Sequence, residues 1–353
     1  MLHHRNLIPA AILIPILLSS HVPGDRIRFA PSEGSSATKT FENKAEFTLQ
    51  NMKISMNGQE PPAKPEMEMT ITSTQKVVVT DDYVANRENA PKKLRRTFDE
   101  LGNDVSMSMK MQMMGNSQNQ DKTTKGESEL QGKKVVFTWD DDKGEYTKAF
   151  DPAADKENLL KDLEEDMDLR ALLPKEEVKE GQEWEIEVSK LASVLAPGGN
   201  LSIVPKEAED AGANMQMPGM SNVSDWLRGA LEGSATGKFK GLQTVDGVKM
   251  GVIEVVAKIS VSKDMTDMVA EMMKKSKQPV PVEIDHMDVD FKYEAKGELV
   301  WDLAAGRAHS FNISGPSHVN MDMAMKLDAQ GQKMNIDYGM ELSGSTDLKL
   351  DVK

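Results

Sequence analysis

Apolar and polar residues alternate at every second position over much of this chain, and that period constrains the fold more than any other feature. It runs through Met67, Met69 and Ile71, and through Val105, Met107, Met109, Met111 and Met113. It returns at Val319, Met321, Met323, Met325 and Leu327, at Met334, Ile336, Tyr338, Met340 and Leu342, and at Leu348, Leu350 and Val352. The residues between are mostly Ser, Lys, Gln, Asp and Asn. Strands of this kind bury one face and wet the other, as antiparallel sheets do. Turn chemistry falls between them. Asp246-Gly247 is a two-residue hairpin signal, and Ala329 to Gln332 reads as a longer turn, so the C-terminal strands form a meander.

Helical spacing is scarce. Asp264 can cap a helix, residues 264–276, with Met265, Met268, Val269, Met272 and Met273 on one face and Pro279 beyond its end. Residues 189–196 and 224–232 read as short helices. A longer one is expected over 155–172, where Leu159, Leu160, Leu163 and Met167 share a side. The surrounding stretch is strongly acidic and Pro-punctuated, so it reads as a connection between two β-rich regions. At roughly 150 residues per domain, the chain length favours two parts. The expected division is a signal peptide and leader at 1–30, an N-terminal antiparallel region at 31–150, an acidic helical connection at 151–180, and a C-terminal antiparallel region with helices at 181–353. The shared phrase W-D-x-x-x-G, at Trp139 to Gly144 and Trp301 to Gly306, raises the question of a repeat.

The beginning of the chain points to export. His3, His4 and Arg5 precede an apolar run, Leu7 to Leu18, that would rise only about 18 Å as a helix, too short to span a bilayer. Ser19 and Ser20 follow, completing a signal-peptide layout with cleavage expected between Ser20 and Ala30. Residues 31–40, rich in Ser and Thr, read as a disordered leader. No later apolar run approaches the length of a membrane-spanning helix, and with no cysteine there is no lipobox and no disulfide. The expected location is periplasmic or extracellular, soluble and not a lipoprotein.

Composition also limits the chemistry. A net charge of −14 argues against nucleic acid, and the basic run Lys92 to Arg96 reads as a solvated face. Beyond the leader, His286, His309 and His318 stand singly, with no HExxH spacing. No G-x-S-x-G, P-loop or G-x-G-x-x-G occurs, so no enzyme is recognised and no cofactor is implied. Residues 140–145 lack the EF-hand spacing and read as a solvated turn. His286, Asp288 and Asp290 alternate with apolar residues and read as the wet side of a strand. An enzyme built on dispersed carboxylates stays a further alternative.

Methionine is the departure from background, with 25 Met against 4 Trp, 4 Tyr and 9 Phe. Three readings follow. Met can replace Leu and Phe as core filler. It can line a surface for an apolar ligand or protein tail, since the side chain is flexible and polarisable; Met107, Met109, Met111, Met321, Met323, Met325, Met268 and Met272 are then the binding residues. Or its soft sulfur can hold copper, for which Met215, Met217 and Met220 are the clustered candidates. Alternate methionines on a single strand stand too far apart to share one ion without an adjacent strand.

The run Leu173 to Trp184 resembles the phrase LP-x-x-x-V-x-x-G-x-x-W of exported bacterial proteins without assigned activity, built of curved antiparallel sheets. Leu94 to Phe98 (LRRTF), Gly297 to Asp302 (GELVWD) and Gly306-Arg307 extend the likeness. It implies an envelope or secreted protein with no transferable catalytic residues, and its general shape is similar to that of lipoprotein carriers, whose half-open barrels hold acyl chains. The expected fold is therefore α+β and β-dominated, with curved antiparallel sheets in a meander and a few short amphipathic helices. The expected function is non-enzymatic binding of an apolar ligand or an envelope protein.

Overall fold

The computed structural model of the protein describes residues 24–61, 66–113, 116–205, 227, 231–275, 282–329 and 332–353. Its strands are β1 (Ser36–Met56), β2 (Glu66–Arg87), β3 (Ala90–Met113), β4 (Asn116–Ser128), β5 (Lys134–Asp140), β6 (Glu145–Phe150), β7 (Glu183–Glu185), β8 (Ile203–Pro205), β9 (Leu231–Val245), β10 (Val248–Asp264), β11 (Val282–Asp302), β12 (Arg307–Ala329) and β13 (Gln332–Val352). All pair antiparallel in one sheet, in the order β6-β5-β3-β2-β1-β13-β12-β11-β10-β9-β7, with β4 on β3 and β8 on β4. The fold class read from the period is the fold observed. Each alternating run lies inside a strand, and Asp246-Gly247 closes the β9–β10 hairpin with positive φ at both residues.

The N- and C-terminal regions meet inside this sheet, where β1 lies on β13 from Lys39↔Val352 to Met56↔Ile336. The sheet curls on itself. Phe137 of β5 and Phe239 of β9, near its two ends, belong to one buried cluster. Two glycines on the inner face allow the coiling. A Cβ at Gly315 would run into the Glu294 carbonyl oxygen, and one at Gly344 into that of Glu46, so neighbouring backbones approach where a side chain would hold them apart.

One end of the curl is filled by the chain itself. Leu160, Leu163, Met167, Leu172, Val178, Ile186, Leu191 and Leu201, from the segment after β6, pack on Val79, Phe98, Phe311 and Leu350 of the sheet. Residues 25–30, expected with the leader, are also in this core. Ile27 and Phe29 are buried, Asp25 pairs with Val178, and Trp301 Nε1 donates to the Arg28 carbonyl at 3.2 Å.

Three local expectations are corrected. Residues 31–40, expected to be disordered, run into β1, with Ala37 and Lys39 buried. The polar stretch 115–126, whose composition reads as an exposed, mobile loop, lies from residue 116 onward in β4, which takes its order from pairing with Gly102 to Met113. In place of a helix over 155–172 there are two 3-10 turns, Glu157–Leu160 and Arg170–Leu172. That backbone finds its partners outside a helix: Arg96 takes the carbonyls of Glu164 and Glu165, and Gly198 accepts from the Glu164 amide. The shared W-D-x-x-x-G phrase builds the same hairpin turn twice: Asp140 Oδ1 accepts the amides of Asp142 and Lys143, and Asp302 Oδ1 those of Ala304 and Ala305. Residues 140–145 therefore use their first carboxylate on their own backbone, and His286 and Asp288 stand exposed on β11. The short helix at 189–196 is present as a 3-10 turn leading into an α turn. The one expected at 224–232 lies mostly outside the described residues.

Candidate functional site

Two features of the inner face carry possible function: a closed ionic cluster at the filled end and a methionine-lined region at the other. Lys39, Asp81 and Arg96 come from β1, β2 and β3, at positions where the alternation points inward. Arg96 grips Asp81 with two bonds of 2.7 Å each. Lys39 Nζ lies 2.7 Å from Asp81 and 2.6 Å from Asp168, and Tyr83 Oη donates to Asp168 at 2.6 Å. Arg170 reaches Glu165 at 2.5 Å and Asp166 at 3.1 Å. Burial pushes Asp81 upward, but Arg96 and Lys39 outweigh it and hold the carboxyl at about 2. Burial also dominates at Glu165 and, with Asp166 and Asp168 nearby, raises it to about 7 against the pull of Arg170. The cluster ties the filling segment to the sheet; Lys39, Asp81, Arg96 and Asp168 are closed to solvent, and Arg170 and Asp166 lie at its edge. Reading Lys92 to Arg96 as solvated missed it, because Arg96 is fully buried.

Towards the other end the inner face turns first polar and then apolar. Ser73 Oγ bonds Asn103 Oδ1 at 3.3 Å, and the hydroxyls of Ser317 and Thr346 lie 3.1 Å apart. Beyond this belt is a second buried cluster: Phe47, Ile71, Met265, Val269, Met287, Val289, Val319, Met321, Met340 and Leu342. The helix Thr266–Lys275 packs on it. Its Asp264 cap is formed, with Oδ1 accepting the Thr266 amide at 2.8 Å. The helix is pinned to β11 by Met265 N donating to Met287 O at 2.7 Å and Met287 N donating to Thr266 Oγ1 at 2.9 Å.

The proposed binding methionines divide in three. Met321 is core, with Met107 and Met323 half-buried at the cluster's rim. Met109, Met111 and Met325 are half-buried on the inner face beyond that cluster. Met268 is 38% exposed, and of the expected helix face Met265, Val269 and Met273 pack in or against the cluster. Nothing is described of the Met272 side chain, and Met215, Met217 and Met220 lie outside the described residues.

The sheet forks where the methionines begin. β1 and β2 pair from Ser36↔Asp82 to Thr48↔Thr70, and among the described residues their pairing stops there. β1 continues on β13 to Met56, while β2 continues on β3 back to Glu66. Gln50 is skipped in the β1 register, and such a bulge bends a strand. The two blades carry Met52, Ile54 and Met56 on β1, Ile336 on β13, Met325 on β12, Met67 on β2, and Met109 and Met111 on β3. None of these packs against either buried cluster. Cross-strand register sets Met67 opposite Met111 and Met69 opposite Met109.

Among the described residues, no group of three or more His, Cys, Asp or Glu is placed to hold a metal ion, and no helix is long and apolar enough to cross a membrane. No family model and no curated protein matches the chain. Solved structures similar to it include the outer membrane protein OprG from Pseudomonas aeruginosa, 8% identical with a TM-score of 0.22 over 90% of this chain and 97% of that one. They also include OprB from Pseudomonas putida, 8% identical with a TM-score of 0.16 over 88% and 91%. Membrane barrels turn an apolar band outward and polar residues inward. Here β11–β13 alternate the other way, with Lys292, Glu294, Glu298, Asp322, Glu341 and Asp347 exposed on the outer face.

Proposed function

We propose that this is an exported, non-enzymatic binding protein that holds an acyl chain on the methionine-lined end of its curled sheet. The observation that carries the reading is the run of half-buried apolar side chains beyond the second cluster, on an inner face whose opposite end is filled. Burying each methylene of such a ligand contributes about 0.8 kcal/mol, and flexible thioethers adapt to a chain of no fixed shape. Export to the periplasm or medium rests on the leader, and the charged outer face suits a protein surrounded by water.

Two substitutions test the reading. Met109 lies beyond the cluster, so Met109→Asp should leave the fold intact and reduce uptake of an apolar dye. Met321 is 7% exposed inside the cluster, so Met321→Asp should unfold the protein, since a buried unpaired carboxylate costs several kcal/mol. Native mass spectrometry of protein from its own host should show co-purified lipid. A wild-type protein free of lipid and unable to take up dye would overturn the proposal.

A further inference from the structure

We infer that Met67, Met69, Met109 and Met111 form a binding site for a soft monovalent cation, Cu(I) or its analogue Ag(I). Thioether sulfur is a soft donor that prefers such ions to Zn(II), Ca(II) or Mg(II). Along one strand, alternate residues lie about 6.7 Å apart, too far for two sulfurs to share an ion readily. The register removes that obstacle. Met67 stands directly opposite Met111, and Met69 opposite Met109. Directly opposed side chains start with their Cβ atoms about 5 Å apart, and a methionine has three rotatable bonds with which to close the rest. Two adjacent pairs on one face therefore bring four flexible sulfurs over a single patch.

Packing does not account for this group. Met67, Met109 and Met111 join neither buried cluster, and Met69 touches only the rim of the second. The buried pair Met321 and Met340 is also opposed across strands, but its side chains are enclosed by apolar neighbours. Two lysines lie near. Lys122 of β4 shares the methionine face, opposite Met107 and one pair along from Met109. Lys110 projects from the other face of β3, where its ammonium pairs with Glu68 at 3.4 Å. Among the described residues, the inner positions next to these four are Ile71 and Met107 along the strands and Gln118, Gln120 and Lys122 across on β4, so no carboxylate or imidazole is at hand for a harder ion.

The site lies on the face to which acyl binding is assigned above and shares Met109 and Met111 with it, but it does not require a bound lipid. The test uses the mature chain labelled with 13C-methyl methionine and titrated with Ag(I), with Cu(I) affinity measured anaerobically in ascorbate against bicinchoninate. One equivalent of Ag(I) should shift the methyl signals of these four methionines, and Met69→Leu with Met109→Leu should abolish Cu(I) retention. Leucine conserves volume and apolarity, so the double variant should keep its fold, read by circular dichroism and urea stability, while dye uptake by the wild-type protein judges the acyl reading apart, which separates failure of this site from failure of that reading. Met67→Leu with Met111→Leu gives the same readout should the first pair not fold. Met321→Leu with Met340→Leu should leave Cu(I) affinity unchanged. Undiminished Cu(I) affinity in the Met69/Met109 variant, shifts confined to Met215, Met217 and Met220, or equal retention of Zn(II) would overturn the inference.

Discussion

A carboxyl group enclosed by protein must find cations or keep its proton, and the ionic cluster contains both outcomes. Asp81, held by Arg96 and Lys39 at about 2, gives stability that is complete above its unfolded value of 3.8 and is lost as pH falls through 2. Glu165 has the opposite sign. Its folded value of about 7 lies above the unfolded 4.5, so as pH rises between them the unfolded chain releases a proton that the folded one retains. The native state therefore loses about 3 kcal/mol over that window. Glu165→Gln should remove this slope, read as the difference between the urea stabilities of variant and wild type at pH 5 and pH 8; equal differences at both would count against it. The cluster was partly legible in the sequence. Leu94, Arg96 and Phe98 share one face of a period-2 strand, as do Ala37, Lys39 and Phe41, or Val79, Asp81 and Tyr83, so each charge sits in an inward register. Reading Lys92 to Arg96 as a charge run hid that alternation, and Asp168 and Glu165 come from a segment with no strand period.

At the scale of elements, legibility followed one-sided burial. Strands with an apolar face were read correctly because register fixes which residues meet the core. β4 was missed because NSQNQDKTTKGES is polar on both faces, and its order comes from backbone pairing with β3. The segment 155–172 was misread because Leu160, Leu163 and Met167 do share a core, but through turns whose carbonyls Arg96 occupies. The helix Thr266–Lys275 was predictable because its cap and its apolar spacing agree. Its weight in ligand access is testable. Asp264→Ala removes the cap bond and should destabilise the helix by about 1 kcal/mol. A helix that covers the methionine face should then fray and let apolar dye enter faster, read by stopped-flow fluorescence. An unchanged entry rate would mean that the dye reaches the face by another route, such as the fork.

For the whole molecule, the decisive feature is the pairing of β1 with β13, which the sequence did not announce because the partners stand at opposite ends of the chain. Antiparallel meanders on either side could each have closed as a separate unit, as chain length favoured. The structure instead runs one ladder from β6 to β7, and the buried cluster at the filled end draws Phe137 from the first half, Leu172 from the connection, and Leu191, Trp301 and Phe311 from the second half. Removing either half would expose apolar surface that the other covers, so the halves should unfold together. Two of the four tryptophans are placed to report on this. Trp139 ends β5 against Tyr146, while Trp301 is fully buried near the end of β11. A variant keeping only Trp139 and another keeping only Trp301, with phenylalanine at the remaining tryptophans, should show fluorescence transitions in urea with the same slope. Each midpoint should coincide with the circular-dichroism midpoint of its own variant. A Trp139 transition completed while the Trp301 signal and half of the strand signal persist would establish two separately stable units, with the β1–β13 ladder only docking one against the other.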